Sequence, residues 1–210
     1  MTLLQTYKRI AQPFLSWIAA ALHRGQRANQ KQRDIKHGLL KIGEFTYGYP
    51  HIIDSGGAKG KVIIGNYCSI ADGVQVLTGG NHHPEWLSTF PFRIIFDLPG
   101  KYVDGQPYTK GDVVIGSDVW IGQNALILSG VSIGHGSIVT ANAICTRDIP
   151  DYAIVGGNPA RIIRMRFTEN QIQALLRISW WNWDKDKILK NVDFFCSDRV
   201  DAFIAAFDKP

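Results

Sequence analysis

From Ile115 to Ile144 the chain repeats every six residues, as IGSDVW, IGQNAL, ILSGVS, IGHGSI and VTANAI. The first position holds Ile115, Ile121, Ile127, Ile133 and Val139, and Cys145 continues the series as a small apolar residue. The fifth holds Val119, Ala125, Val131, Ser137 and Ala143, all small or β-branched. The fourth holds Asp118, Asn124, Gly130, Gly136 and Asn142, residues that accept a left-handed backbone at a corner. A six-residue step with an inward aliphatic and a tight corner makes one side of a triangle. Three such steps close a turn, and turns stack at the strand spacing of ~4.8 Å. The period therefore predicts a mainly β chain built on a left-handed parallel β-helix.

The same register occurs earlier, at Ile42-Gly43-Glu44 and in the hexapeptides Ile64–Ser69 and Ile70–Gln75. From Ile64 to Ile115 is 51 residues, not a multiple of six, so an excursion must reset the frame. Residues 78–112 fit that role, with Pro84, Pro91, Pro99 and Pro107 among aromatics Trp86, Phe90, Phe92, Phe96, Tyr102 and Tyr108. An aromatic loop of this length is expected to be structured and to contact a partner, and loops on rigid scaffolds commonly carry chemistry.

Length and apolar content allow one core with an appendage. The domains expected are a basic N-terminal segment (1–38), the coil (39–164, with the excursion at 78–112) and a C-terminal helical segment (165–210). Residues 1–38 carry seven Lys and Arg against Asp34 alone, so the net charge of +5 belongs to the appendage. No nucleic-acid module accompanies it, and nucleic acid is not an expected partner. Residues 3–22 are too short and mixed to span a bilayer. Two readings stay open for residues 1–24: a helix packed on a subunit, or an interfacial helix with Trp17 as anchor and a basic tail on anionic lipid. The expected location is the cytoplasm, at the inner face of the membrane on the second reading.

Three cysteines without a CxxC pair suggest no disulfide framework. Cys68 and Cys145 fall at inward positions and read as buried small hydrophobes. Thr146–Pro150 is read as closing the coil, followed by the turn-rich passage from Ile154 to Arg161. Thr168 is the expected N-cap of a helix carrying Ile172, Leu175, Leu176 and Ile178, with Trp180-Trp181-Asn182-Trp183 and a second helical stretch beyond.

The repeats resemble those of hexapeptide-repeat acyltransferases. The xenobiotic acetyltransferase branch, with type B chloramphenicol and streptogramin acetyltransferases, is similar in further motifs. These are the loop Asn81–Phe92, the passage Val119-Trp120-Ile121-Gly122, the turn Gly156-Gly157-Asn158-Pro159-Ala160 and the Trp180–Trp183 helix. The likeness spans roughly residues 36–190 and leaves residues 1–35 outside. It implies direct acetyl transfer from acetyl-CoA, no metal, and a homotrimer whose acceptor site lies at a subunit boundary.

Acyl transfer to a protonated hydroxyl or amine is efficient with a base of near-neutral pKa, which histidine supplies. A loop histidine alone reads as structural; the resemblance makes His82 the general base, with His83 as the fallback. Histidines 23, 37, 51 and 135 read as surface or structural residues. For acetyl-CoA the resemblance points to Trp120, Gly122, Gln123 and Ala141 on the coil, with Thr146 and Arg147 after the last repeat. Arg161 and Arg164 would meet its phosphates. For the acceptor it points to Tyr47, Tyr49, Asn81, Trp86, Phe92 and Tyr102. The sequence identifies neither the oxyanion donor nor the group that orients His82. The first acceptor expected is a sugar hydroxyl or amine in surface-polysaccharide assembly, motivated by the N-terminal segment. The alternatives are an antibiotic of chloramphenicol or streptogramin type, and a non-catalytic scaffold.

Overall fold

Strand partners eighteen residues apart, such as Ile115 with Ile133 and Trp120 with Ile138, are the geometric consequence of the six-residue repeat. They stack in parallel into three sheets in a computed structural model that describes residues 29–54, 56–57 and 60–208. One sheet orders β1 (Leu40–Ile42), β3 (Val62–Ile64), β6 (Val113–Ile115) and β9 (Ser132–Ile133). The second orders β2 (His51–Ile53), β5 (Gln75–Leu77), β8 (Leu126–Ile127) and β11 (Ile144–Cys145). The third runs β4 (Ser69–Ile70), β7 (Trp120–Ile121), β10 (Ile138–Val139), β12 (Ala153–Gly156) and β13 (Arg161–Met165).

The predicted positions behave as the triangle requires. Ile121, Ile127, Val139, Ala125 and Ala143 are fully buried, and each large aliphatic enclosed this way stabilises the coil by about 1.5–3 kcal/mol. All five fourth positions have positive φ, from 58° at Asn124 to 77° at Gly130, which short polar residues and glycine tolerate best. At Gly122 a side chain has no room: a Cβ would lie 2.5 Å from the Ala141 nitrogen of the next turn. Cys68 and Cys145 are buried and unbridged, as expected. Burial pushes the Cys145 thiol up to about 11.

The excursion leaves after β5 and returns at β6 in register. Ile64 pairs with Ile115, so the partners here are separated by 51 residues instead of eighteen. Beyond β11 the structure differs from the sequence expectation. The coil does not close at Thr146–Pro150: Ile149 bridges Ile133, β12 pairs with β10 in parallel, and antiparallel β13 then ends the sheet. Ile149 stands four residues after Cys145, so this last side is invisible to a six-residue register.

The chain divides into a unit ending at Leu40 and a second from Lys41. In the first, residues 29–36 are helical, and the amphipathic segment 3–22 lies outside the described residues. The second includes the C-terminal helices. The short helix α1 (Phe92–Ile95) lies in the excursion, and α2 (Glu169–Ile178) starts at Thr168 with a reciprocal capping box to Gln171. Trp180–Asn182 forms a 3-10 turn where a Trp-rich helix was expected, because Ser179 adopts a left-handed φ of 45°. Three helices follow, α3 (Lys185–Lys190), α4 (Val192–Phe195) and α5 (Val200–Phe207). Trp181 docks this segment on the coil, stacked on His135 with centroids 4.6 Å apart. Among the described residues no helix is long and apolar enough to cross a membrane.

Candidate active site

The two limbs of the excursion are tied together at their base. Asn81 and Tyr108 exchange backbone hydrogen bonds of 3.0 Å, and Asn81 Nδ2 donates to Tyr108 O and to Ser129 Oγ of the coil. Asn81, expected at the acceptor, therefore spends its carboxamide nitrogen on anchoring the loop.

His82 follows that anchor and is exposed. Its Nδ1 lies 2.6 Å from Thr89 O, and a carbonyl can only accept, so Nδ1 carries the proton. Nε2 is left with its lone pair, and no described residue hydrogen-bonds to it. Gln106, buried beneath, places Nε2 2.8 Å from Thr89 O and 2.9 Å from His82 Nδ1.

His83 is arranged differently. Its Nδ1 faces Glu85 Oε1 at 2.7 Å and its Nε2 faces Gly105 O at 3.0 Å. The ring lies between Trp86, stacked at 4.5 Å, and Tyr108 at 4.6 Å. Both nitrogens meet acceptors, and the Glu85 hydrogen bond leads the effects that raise the pKa. Protonated His83 donates on each side and clasps the limbs of the loop. It offers no free lone pair.

A cavity of about 300 Å³ opens beside these residues, walled by Trp86, Leu87, Phe90 and Phe92, with Ser88, Arg93, Asp104 and Gln106 as its polar members. Trp86 and Phe92 of the expected acceptor residues line it. Tyr102 is exposed farther along the excursion, outside that wall. Tyr47 is exposed on the coil, whereas Tyr49 is 7% exposed and turned inward. A second cavity, about 360 Å³, lies between the coil corner at Asp118 and the C-terminal helices. None of the expected site residues lines it.

The positions expected to meet acetyl-CoA fall on the later turns. Trp120 on β7 is 54% exposed, and Gly122 and Ala141 face one another on stacked turns. Gln123, Thr146 and Arg147 are exposed. Arg161 and Arg164 stand exposed on β13, and their guanidinium groups donate to the carbonyls of Ala160 and Met165. No carboxylate pairs with either among the described residues. A narrow surface of glycine and alanine ending near unpaired arginines fits a slender arm with an anionic end.

A parallel coil of stacked hexads with a histidine-bearing excursion defines a class, the hexapeptide-repeat acetyltransferases, and the chain belongs to it. The bacterial transferase hexapeptide family (six repeats) matches residues 112–147. Over 182 residues the chain is 38% identical to a chloramphenicol acetyltransferase of Escherichia coli, covering 79% of this chain and 86% of that protein. It is 39% identical over 170 residues to a virginiamycin A acetyltransferase of Staphylococcus aureus, covering 80% and 75%. A hexapeptide-repeat acetyltransferase of Vibrio cholerae, solved with acetyl coenzyme A, is 27% identical over 62% of each chain, with a TM-score of 0.45. The protein is an acetyltransferase.

Thr89, Glu85, Gly105 and Gln106 were not singled out from sequence. Thr89 and Gly105 act through backbone carbonyls, which leave no residue-type signal; Glu85 acts through its carboxylate on a neighbouring histidine, and Gln106 lies 24 residues from His82.

Proposed function

We propose that the protein transfers the acetyl group of acetyl-CoA to a hydroxyl of an apolar, antibiotic-like acceptor, with His82 as general base. The observation that carries this reading is the 2.6 Å contact of His82 Nδ1 with Thr89 O, which leaves Nε2 as the ring's proton acceptor. Acetyl-CoA supplies the thioester. His82 Nε2 takes the acceptor's proton as its oxygen attacks the thioester carbon, and returns it to sulfur as the C–S bond breaks. The transfer is direct. Cys68 and Cys145 are enclosed in the coil with burial raising both thiols, which supports a route without an enzyme thioester.

The cosubstrate would lie along Trp120, Gly122, Gln123 and Ala141, with Thr146 and Arg147 beyond and Arg161 and Arg164 at the phosphates. The acceptor would lie against Trp86 and Phe92, whose aromatic faces suit a large apolar molecule. The names of the chloramphenicol and virginiamycin A relatives support that class. A sugar of surface-polysaccharide assembly is the second reading, favoured by the basic N-terminal segment. Thiol release from acetyl-CoA over a panel of chloramphenicol, streptogramins, sugars and amino sugars tests the choice. Turnover confined to sugars would overturn the first reading.

The assembly proposed is a homotrimer in which the excursion of one subunit brings His82 to the coil of the next. Exposed Val114 and Trp120 on the coil faces support a partner there. A fully active monomer by light scattering would exclude it. The proposed location is cytoplasmic, with residues 1–24 at the inner membrane face. Flotation with anionic vesicles should be lost when those residues are deleted.

A further inference from the structure

Gln106 is 3% exposed, and between residues 78 and 112 it shares that degree of burial among polar described residues only with Thr78. Its carboxamide forms a triangle with two other polar atoms. Gln106 Nε2 to Thr89 O is 2.8 Å, Nε2 to His82 Nδ1 is 2.9 Å, and Nδ1 to Thr89 O is 2.6 Å. Two of the three atoms must be donors and one the shared acceptor. A bare Nδ1 would set its lone pair against the carbonyl at 2.6 Å. A reversed carboxamide would set Oε1 against the same carbonyl. The arrangement that sets no lone pair against the carbonyl has Thr89 O accepting twice, from Nδ1–H and from Nε2–H, with the two nitrogens 2.9 Å apart.

Gln106 is itself held from the far side. Its backbone N–H donates to Asp104 Oδ1 at 3.2 Å, and Asp104 Oδ2 lies 3.5 Å from Arg93 Nε on α1. Gln106 also belongs to the wall of the cavity that Trp86, Phe90 and Phe92 complete. The same residue thus borders the cavity and bonds the carbonyl that orients the imidazole.

We infer that Gln106 is a positioning residue for acetyl transfer, fixing the Thr89 carbonyl so that His82 keeps its proton on Nδ1 and presents a bare Nε2. The inference rests on His82 as the base. With one lone pair engaged, the carbonyl can tilt and the ring can turn about its Cβ–Cγ bond. With both engaged, neither moves without breaking a second bond.

The test uses the full chain and two substitutions of similar length. Gln106→Met removes both donors, and Gln106→Glu sets a carboxylate against the carbonyl. Both should lower kcat by about 10- to 100-fold while KM for acetyl-CoA stays within about twofold. Imidazole ¹⁵N spectra of the native protein should show His82 as the Nδ1–H tautomer, and Gln106→Met should show a mixture. A native Nε2–H tautomer would overturn the inference, whether or not the variants fold. So would Gln106→Met with native kcat and native tautomer. Full turnover in His82→Ala would instead remove the base reading, while the native tautomer measurement still reports on the triangle.

Discussion

The Glu85 carboxylate lies 2.7 Å from Nδ1 of His83, whose Nε2 reaches the Gly105 carbonyl of the other limb at 3.0 Å. Glu85, the Gly105 carbonyl and the charge of Asp104 all favour the protonated ring. The folded pKa is raised, so the clasp is complete below the ordinary imidazole value of ~6.5 and is lost as pH climbs through the raised value. Activity should therefore carry a basic limb that moves to lower pH in Glu85→Gln, with less than about a fivefold loss near neutrality, as for an exposed pair. Rate profiles across that range check it. An unmoved limb would detach the clasp from catalysis.

His82→Ala should lower kcat by about 10²- to 10⁴-fold, the usual contribution of a positioned general base. Acetyl-CoA binding, followed by calorimetry, should be unchanged. His83→Gln should be far milder, since that ring has no free lone pair to take a proton.

Acid should loosen the C-terminal helices before it touches the coil. His135 Nδ1 accepts from the Ser117 N–H at 2.9 Å, and its ring is covered by Trp181. Burial lowers its pKa, outweighing the nearby Asp151 carboxylate. The unfolded chain therefore takes up a proton that the folded one refuses, and stability falls as pH drops below ~6.5 toward the depressed folded value. Thermal melts followed at tryptophan should show this slope, and His135→Phe, which keeps the stack without the acceptor, should flatten it.

Arg161→Ala and Arg164→Ala should each raise KM for acetyl-CoA by about 3- to 10-fold with kcat nearly constant, as expected for uniform binding of phosphate. The effect should shrink with added salt. An equal fall in kcat would place these side chains in the reacting complex instead.

The coil could be read from sequence because three side-chain rules coincide at one period. Asp118, Asn124 and Asn142 turn left-handed where a corner was expected, and Ile121 and Ile127 point inward. The register fails where spacing changes, so Ile149 was read as closure and β12 as part of a turn-rich passage, although both extend the coil. In the excursion, recognition of Asn81-His82-His83 located the candidate base. What holds it, Thr89 O and Gln106, is tertiary: a backbone oxygen seven residues away and a carboxamide brought in by the loop's return. Trp180–Asn182 shows a local limit of the same kind, since the αL conformation of Ser179 breaks a helical run that composition alone would extend.

Residue-for-residue pairing of β3 with β6 across 51 intervening positions has a consequence for how such enzymes diversify. The insertion begins and ends at one pinned doorway, the Asn81–Tyr108 bridge, and the strands on either side stack as though it were absent. Its contents can lengthen, shorten or change chemistry without shifting any turn that follows. Selection acting on the molecule to be acetylated is thereby uncoupled from selection on the surface expected to hold the acetyl donor.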